Sequence, residues 1–346
     1  MHAAVYAGDR TFRSAELESL ALGAGDVRIA VRYVGLCGTD LHIFHGHMDG
    51  RVTIPAVIGH EMSGVISEVG SAVNGWAAGD AVTVMPLLWD GTCPACLAGD
   101  SHICQNLTFV GIDTPGALQR EWVVPASLLV RLPAAMSLAH AAIVEPVAVA
   151  VHDVRRSELA PGQKAVVIGA GPIGVLIASV ARQIGAEVVI VELDAARRSF
   201  ADGLGLTTID PRATDAVAWV EEWTGGAGAD VVFEVAGAAA AVLSATSYAK
   251  VRGTVVVVAI HPEPRPIDLQ RVFWRELRLL GARVYQRTDF EEAVRLVAAG
   301  AVPTDELISG IVPLDAVQQA FETLENGGAL KLLVDVAGAD GAEVPA

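Results

Sequence analysis

The feature that most constrains the fold is a glycine-rich turn between an apolar strand and an apolar helix. The strand KAVVI is followed by the turn GAGPIG at 169–174, which opens the helix-forming segment PIGVLIASVARQIG. Glycines at this spacing, in this context, are typical of a dinucleotide-binding unit. The first glycine allows a tight bend, the second lets the backbone approach a pyrophosphate, and the third allows close packing of helix on strand. The candidate cofactor-binding residues of the turn are Gly169, Gly171, Pro172, Ile173 and Gly174.

An acidic residue follows this turn at the distance expected for recognition of the adenosine ribose. Glu192 ends the next strand, VVIVE, eighteen residues after Gly174. Its carboxylate is suited to accept hydrogen bonds from the ribose hydroxyls, and it would repel a 2′-phosphate. We therefore expect NAD rather than NADP. Asp194 competes for the same role, and Arg197 would favour NADP if it turned inward.

The pattern of the chain changes near residue 150. Before that point, short alternating runs such as VRIAVRYVG and REWVVPASLLVRLP, broken by Gly and Pro, predict a mostly β domain. Buried strands such as AEVVIVELD and GTVVVVAI then alternate with alanine-rich helical segments, which indicates a parallel sheet. The C-terminal part returns to shorter elements, with helices in DFEEAVRLVAAG and LDAVQQAFETLENGG and a closing strand in ALKLLVDV. A domain formed by both ends of the chain, with the strand and helix units inserted, fits this order.

Length and charge limit the classes of partner. At 346 residues the chain exceeds the usual size of a single core, which favours two domains. Its net charge of −16 and the absence of any basic cluster argue against nucleic acid and anionic membranes as partners. There is no apolar run of bilayer length and no signal-peptide pattern. We expect a cytoplasmic protein that acts on a small molecule.

Three of the four cysteines form a metal-ligand pattern together with an aspartate. In DGTCPACLAGDSHIC, at offsets of zero, three, six and fourteen, stand Asp90, Cys93, Cys96 and Cys104. Both residue types are zinc ligands, and without a secretory signal metal ligation fits better than disulfides. The pattern predicts a structural zinc site. The alternative is a metal-free lobe in which the three thiols pack as small apolar side chains.

A second group of potential ligands lies nearer the N-terminus. Cys37, in GLCGTDLHIFHG, and His60, in GHEMSGVISEVG, supply a thiolate and an imidazole. A catalytic zinc takes three protein ligands and keeps an open position. Two carboxylates compete for the third place, Glu61 beside His60 and Glu145 in IVEPVAVAVH. Because Glu145 precedes a proline, we expect its backbone to be extended.

Together these motifs resemble the zinc-dependent medium-chain alcohol dehydrogenases. GHEMSGVISEVG, with glycines at 59, 64 and 70, is similar to the zinc signature of that family, and CGTDLH at 37–42 is similar to its companion motif. With the cysteine lobe, the glycine turn and the C-terminal segment, the resemblance covers nearly the whole chain in family order. EPVAVAVH resembles the sorbitol, butanediol and related polyol dehydrogenases more than the horse-liver type, whose third zinc ligand is a cysteine.

The resemblance implies an α/β fold in which a mostly β, GroES-like catalytic domain is split around an inserted Rossmann domain with a doubly wound parallel sheet. It places the catalytic domain at 1–152 and 287–346, with the zinc lobe at about 88–106, and the Rossmann domain at 153–286. Family members form dimers or tetramers through the last strands of the nucleotide domain. A homodimer or homotetramer contact is therefore expected around LRLLGARVY.

The resemblance also implies the chemistry. A secondary alcohol, such as a polyol, vicinal diol or amino alcohol, is oxidised to a ketone by hydride transfer to NAD, with zinc as the Lewis acid. Thr39 matches the hydroxyl that takes the proton from the substrate, and His42 matches the solvent end of that relay. Glu145 matches a carboxylate at the zinc, either a ligand or a close neighbour. Asp40 is expected to orient this turn rather than to react.

Other functions share parts of this pattern. A threonine dehydrogenase-like activity fits the stretch HIFHG, but relatives of that kind tend to carry DP in place of Glu145-Pro146. A non-catalytic nucleotide-binding protein of the same fold needs only the glycine turn, and a zinc-free quinone reductase of the same superfamily would lack Cys37 and the lobe. For His45 and His47 the sequence leaves both a position in the substrate cleft and a surface position open.

Overall fold

The chain forms two compact units, seen in a computed structural model that describes residues 1–338. Unit 1 contains Met1–Glu145, Gln286–Gly300 and the residues from Thr304 onwards, and unit 2 contains Pro146–Tyr285 with Ala301–Pro303. In the sequence, nearly all of unit 2 is thus inserted between the first and second segments of unit 1, and the predicted split fold class is confirmed. The domain boundaries given above stay predictions, and 339–346 of the predicted catalytic domain lie outside the described residues.

The first part of unit 1 consists of short strands with short helices between them. Strand β8 (Glu121–Pro125) shows the alternation of a half-buried strand, because Trp122 and Val124 are buried and their neighbours are partly exposed. The elements in chain order are β1 (His2–Tyr6), β2 (Phe12–Glu16), β3 (Asp26–Gly35), α1 (Gly38–Phe44), β4 (Glu61–Val69), β5 (Ala81–Val84), β6 (Leu87–Leu88), α2 (Pro94–Leu97), β7 (Thr108–Phe109), β8 (Glu121–Pro125), β9 (Leu129–Arg131) and α3 (Leu138–Ala141).

Unit 2 is built from alternating strands and helices. They are α4 (Val144–Ser157, which begins at the end of unit 1), β10 (Lys164–Ile168), α5 (Pro172–Gln183), β11 (Glu187–Val191), α6 (Ala195–Gly203), β12 (Thr207–Ile209), α7 (Ala216–Trp223), β13 (Ala229–Glu234), α8 (Ala239–Tyr248), β14 (Ala249–Val257), α9 (Leu269–Arg275) and β15 (Arg278–Gly281). Their strands form a parallel sheet in the order β12-β11-β10-β13-β14-β15. The chain reverses direction across the sheet between β10 and β13, and ligands of doubly wound sheets bind at the carboxyl ends of the strands at such a point.

The C-terminal part of the chain returns to unit 1. It contains α10 (Arg287–Ala298), α11 (Thr304–Leu307), β16 (Ile308–Pro313), α12 (Val317–Glu325) and β17 (Lys331–Asp335). The main sheet of unit 1 has the order β16-β17-β3-β4-β5-β9, with β8 also paired to β3. Strand β17 is antiparallel to β3, so that Leu333 lies opposite Gly35. The closing strand of the chain therefore lies beside the strand that leads into Cys37.

The helices are short. The first helix of unit 2, α4, has 14 residues, and α5 and α10 have 12 each, whereas a bilayer span needs about 20 apolar residues. Among residues 1–338, no helix has the length and apolar character that crossing a membrane requires.

Candidate functional site

Cys37 caps the N-terminus of α1, directly after β3. Its Sγ accepts the backbone N–H of Thr39 at 3.2 Å, and the Asp40 carboxylate accepts the backbone N–H of Cys37 at 3.0 Å. These two bonds form a capping box, which fixes the direction of the thiol. Asp40 is fully buried here and orients the turn, as its sequence context suggested.

His60 lies just before β4 and faces Cys37. Its Nε2 is 3.2 Å from Cys37 Sγ, and its Nδ1 is 3.6 Å from Oδ1 of Asp40. The ring thus directs one nitrogen to a thiol and the other to a carboxylate, the arrangement typical of a metal-ligating histidine. Neither His60 Nδ1 nor Asp40 Oδ1 makes a hydrogen bond, although both atoms are buried. A cation bound at Nε2 would polarise the ring and strengthen the contact between these two atoms.

Glu61, the first residue of β4, is held by a buried lysine. Lys331 Nζ donates to Oε1 and Oε2 of Glu61 at 2.8 and 2.7 Å, and to the carbonyl oxygen of Leu36 at 3.0 Å. The lysine and glutamate side chains are only 4% and 2% exposed. The carboxylate also lies against Gly35, where any Cβ would collide with it. Glycine at this point of β3 is therefore needed for Glu61 to fit as it does.

Lys331 is a residue of this cluster that the sequence did not reveal. It begins β17 and is 3% exposed. Lysine is almost never fully buried without a partner, so a lysine that opens the apolar strand KLLVD was a usable signal. Its partner lies 270 residues earlier in the chain. Strand pairing between β17 and β3 brings the two together, and no local pattern reveals that pairing.

Glu145 lies in the first turn of α4 and is buried. The expectation of an extended backbone was wrong. Pro146 also occupies the first turn, where a missing N–H breaks no helical hydrogen bond. Charge interactions connect Glu145 with His60 and Lys331, so this carboxylate belongs to the same electrostatic cluster.

The residues of this cluster fit a zinc ion. Cys37, His60 and Glu61 each offer one ligand atom, and these atoms lie within 4.8 Å of one another. Burial, and next the charge of Asp40, raises the pKa of the Cys37 thiol, and burial also raises the pKa of Asp40. Both shifts arise mainly from burial, which disfavours the negatively charged forms unless a positive charge balances them. A divalent cation would supply the balance, and thiolate, imidazole and carboxylate are all zinc donors.

Thr39 and His42 lie on the helix that Cys37 caps. They are three residues apart, so both face the same side of α1. Both side chains are partly buried. Burial, and next the nearby rings of His47 and His45, lowers the pKa of His42. A neutral imidazole near pH 7 can accept a proton, as a relay residue must.

The four predicted ligands of the cysteine lobe lie together, with their ligand atoms within 4.8 Å of one another. Asp90 Oδ1 accepts the backbone N–H groups of Thr92 and Cys93 at 2.7 and 2.9 Å, and Oδ2 accepts the Asn106 amide at 2.6 Å. These bonds, that from Asn106 foremost, lower the pKa of Asp90. At neutral pH the residue is a carboxylate, the form that binds metal.

The thiols of the lobe accept backbone N–H groups. Cys93 Sγ accepts from Cys96 at 3.5 Å and from Gln105 at 3.4 Å, and Cys104 Sγ accepts from Asn106 at 3.3 Å. The first of these bonds is the main cause of the lowered pKa of Cys93. Such N–H groups stabilise the thiolate, which is the metal-binding form of cysteine. The lobe therefore fits a structural zinc with three sulfur donors and one oxygen donor.

The glycine turn between β10 and α5 has the shape that a pyrophosphate requires. Gly169 has φ +108°, and a Cβ on Gly174 would collide with the carbonyl oxygen of Gly169. A Cβ on Gly171 would have nothing within 4 Å. The turn is therefore tightly packed at Gly169 and Gly174 and open at Gly171. It lies at the N-terminus of a helix that begins at Pro172 and continues with Ile173. Backbone N–H groups at such a position bind phosphate.

Glu192 directly follows β11 and is tied to the glycine turn. Its two oxygens accept the backbone N–H groups of Ala170 and Asp194 at 2.6 and 2.8 Å. A carboxylate has further lone pairs, so the residue can still accept hydroxyl groups. Asp194 instead caps α6 through the backbone N–H of Arg197 at 2.9 Å. Arg197 itself is exposed on α6.

Two parts of the chain match known protein families. Residues 23–134 match the alcohol dehydrogenase GroES-like domain, and residues 172–299 match the zinc-binding dehydrogenase domain. The first range lies within unit 1, whereas the second covers most of unit 2 and continues into the Gln286–Gly300 segment of unit 1.

Whole proteins are also similar. A 2-dehydro-3-deoxy-L-galactonate 5-dehydrogenase from Pseudoalteromonas atlantica is 51% identical over 336 residues, 97% of this chain and 98% of its own length. A structure from Sinorhizobium meliloti, described as a zinc-binding dehydrogenase bound to NADP, has a TM-score of 0.90 and 33% identity over 96% of this chain and 98% of its own. The structure of the 2R,3R-butanediol dehydrogenase of Bacillus subtilis has a TM-score of 0.89 and 31% identity, over 96% of this chain and 99% of its own. The chain therefore belongs to the zinc-dependent medium-chain alcohol dehydrogenase family.

Proposed function

We propose that the protein oxidises a secondary alcohol of a sugar acid or polyol to a ketone, with hydride transfer to NAD. The observation that carries this proposal is the cluster of partly buried Cys37 with buried His60 and Glu61, next to Thr39 and His42 on α1. The similar protein from Pseudoalteromonas atlantica is named for dehydrogenation at position 5 of a 2-dehydro-3-deoxy sugar acid. At 51% identity over nearly the full length of both chains, the same class of substrate is the first candidate.

Cys37, His60 and either Glu61 or Glu145 would hold the catalytic zinc. When bound, zinc lowers the pKa of the substrate hydroxyl and stabilises the negative charge that develops on its oxygen. Lys331 fixes Glu61 by two hydrogen bonds, so ligation by Glu61 requires that this ion pair rearrange. The choice between the two carboxylates therefore depends on Lys331.

Thr39 and His42 would move the proton that the substrate hydroxyl loses. Thr39 has a hydroxyl that both accepts and donates, and His42 has a lowered pKa, which leaves it neutral and ready to accept. A neutral imidazole at the end of a relay is suited to work near neutral pH. Replacement of Thr39 by valine keeps the shape of the side chain and removes the hydroxyl, so it tests this role directly.

We propose NAD rather than NADP as the cofactor. In support, two backbone N–H groups hold the Glu192 carboxylate at the end of β11, where it would bind ribose hydroxyls and repel a 2′-phosphate. The similar Sinorhizobium meliloti structure is bound to NADP, so the preference needs a direct measurement. We expect kcat/KM to favour NAD in the wild type, and Glu192→Ser to shift the ratio towards NADP. Arg197→Ala in that background should reverse part of the shift.

We further propose a structural zinc in the Asp90 lobe and a homodimer or homotetramer. Exposed apolar side chains near the edge strand β15 support the oligomer, since Phe273 and Trp274 of α9 are 72% and 73% exposed and Leu279 of β15 is 40% exposed. A single chain rarely leaves several such residues together in water. Sedimentation velocity on the wild type and on Trp274→Glu would show whether this face joins subunits.

The main experiment measures NADH formation across a panel of substrates, with zinc content determined on the same sample. The panel contains 2-dehydro-3-deoxy-L-galactonate, other sugar acids, polyols, vicinal diols, amino alcohols and L-threonine. We expect turnover of a sugar acid or polyol, and its loss in Cys37→Ser with NAD binding retained. Absence of NADH with every compound at full zinc content would contradict the proposed activity and favour a non-catalytic nucleotide-binding protein.

A further inference from the structure

We propose that His47 is the outer member of a two-histidine proton path, which receives the proton from His42 and releases it to solvent. The proposal rests on the proposed role of His42 as a relay residue. It assigns a function to a residue that the sequence left open between a cleft position and a surface position.

A tight turn brings the two rings together. After α1 ends at Phe44, the chain reverses at Gly46, which has φ +76°, a conformation that favours glycine. The Asp49 carboxylate lies beside Gly46, and the backbone N–H of His47 donates to the carbonyl oxygen of His42 at 3.0 Å. The ring of His47 therefore folds back on that of His42. Their centroids are 5.7 Å apart, and the two Nδ1 atoms are 3.4 Å apart.

The contact between two Nδ1 atoms suits proton transfer. One nitrogen must donate and the other must accept, so the rings carry complementary tautomers. When His42 gains a proton at Nε2, its Nδ1–H bond breaks as an Nδ1–H bond forms on His47. His47 then loses its Nε2 proton to water, and exchange with water restores the starting tautomers. A distance of 3.4 Å is long for a hydrogen bond, but relay contacts often shorten only when substrate binds.

The difference in exposure between the two rings directs the proton from His42 to His47 and then to solvent. His42 is partly buried, whereas His47 is exposed, so a proton that reaches the second ring has reached solvent. His42 alone therefore has a less direct route to water than the pair has.

Two other titratable groups near the pair, His45 and Asp40, are engaged elsewhere. His45 lies with its ring centroid 5.5 Å from that of His47, but its Nε2 is 2.8 Å from Glu325. Glu325 also pairs with Arg10, so His45 belongs to an ion-pair network with α12. Asp40, the other titratable residue of α1, faces Cys37 and His60. His45 is therefore a matched control, since it is a nearby histidine outside the path.

The experiment compares His47→Gln with His45→Gln and the wild type, each as the zinc-loaded enzyme with NAD and substrate. Stopped-flow absorbance follows NADH formation, and a pH indicator in weak buffer follows proton release in the same turnover. In His47→Gln, we expect proton release to fall about tenfold behind NADH formation, less than the roughly 100-fold loss for a direct acid–base group, because water offers a slower exit. Added imidazole should restore it, and His45→Gln should behave as the wild type.

Equal proton release and an equal imidazole response in His47→Gln and the wild type would overturn the proposal. A second measurement does not need turnover. Because His47 lowers the pKa of His42 more than His45 does, ¹⁵N NMR of histidine-labelled protein should show a higher His42 pKa in His47→Gln and a smaller rise in His45→Gln. If the wild type forms no NADH, the proposed function fails, and the NMR titration alone decides whether the rings are coupled. An unchanged His42 titration would then overturn the histidine path.

Discussion

Replacement of Lys331 by methionine tests how the buried charge of Glu61 is balanced. Methionine has nearly the length of lysine, so the change removes the ammonium group and little of the packing. The variant loses both hydrogen bonds to Glu61 and the bond to the Leu36 carbonyl oxygen. The Glu61 carboxylate then stays buried without its counter-charge.

The structure sets the size of the expected effect. Both side chains are almost completely buried, at 4% and 2% exposure, so water does not screen the pair. Removal of one partner of such a pair costs about 3–5 kcal/mol of the free energy of unfolding. In a domain of about 150–250 residues, each kcal/mol lowers Tm by about 2–4 °C. We therefore expect Lys331→Met to lower the Tm of unit 1 by about 6–20 °C.

The assay is differential scanning calorimetry, with urea denaturation at the same pH as a second measure. Lys331→Arg keeps the charge and should retain most of the stability. The double variant Lys331→Met/Glu61→Leu removes both charges and should be more stable than Lys331→Met alone, since apolar replacement of a buried ion pair is often close to neutral. Zinc would also balance Glu61, so the loss should be larger after chelation than at full zinc content.

Two results would refute this reasoning. One is a loss below about 1 kcal/mol in Lys331→Met, the range of an exposed ion pair. The other is a double variant no more stable than the single one, because the loss would then come from packing rather than from an unbalanced charge.

The remaining predictions concern the two metal clusters and the glycine turn. Cys37→Ser should lose zinc and lower kcat by more than about 100-fold, beyond the loss usual for a residue behind a metal ligand, with NAD affinity unchanged by calorimetry. Gly174→Ala should cost about 1–3 kcal/mol of stability, because its Cβ meets the Gly169 carbonyl oxygen. Gly171→Ala should keep the wild-type Tm and weaken NAD binding, since its Cβ enters only the open space above the turn. Asp90→Ala should release the lobe zinc to a chelator and lower Tm at unchanged kcat, whereas Asp90→Cys should retain the metal longer.

Features that depend on neighbouring residues were predictable from the sequence. The glycine turn follows from the spacing of three glycines between a strand and a helix, and its packing depends on contacts within that unit, such as that of Gly174 with Gly169. The grouping of the four lobe residues was predictable for the same reason, because Asp90 and Cys104 are only fourteen residues apart. The split fold was predictable from the order of such motifs along the chain.

Features that depend on distant residues were not predictable. The ion pair of Glu61 with Lys331 exists because β17 lies beside β3, and no local pattern in either segment names the other. The backbone of Glu145 was predicted wrongly. The rule that a residue before proline is extended describes a general preference, whereas the first turn of a helix accepts proline. The contact of His42 with His47 depends on the turn at Gly46, which the sequence shows only as a glycine.

The pairing of β3 has a consequence for how the chain matures during synthesis. One edge of β3 pairs with β4, while the other is shared, with β8 along its first half and β17 along its end. A growing chain can complete the pairs with β4 and β8 early, but the end of β3 beside Cys37 keeps an open edge until β17 leaves the ribosome. Open edges recruit other strands, so chains that stop short of β17 are expected to aggregate. The cluster around Glu61 thus depends for its completion on Lys331 of β17, which is made 270 residues later.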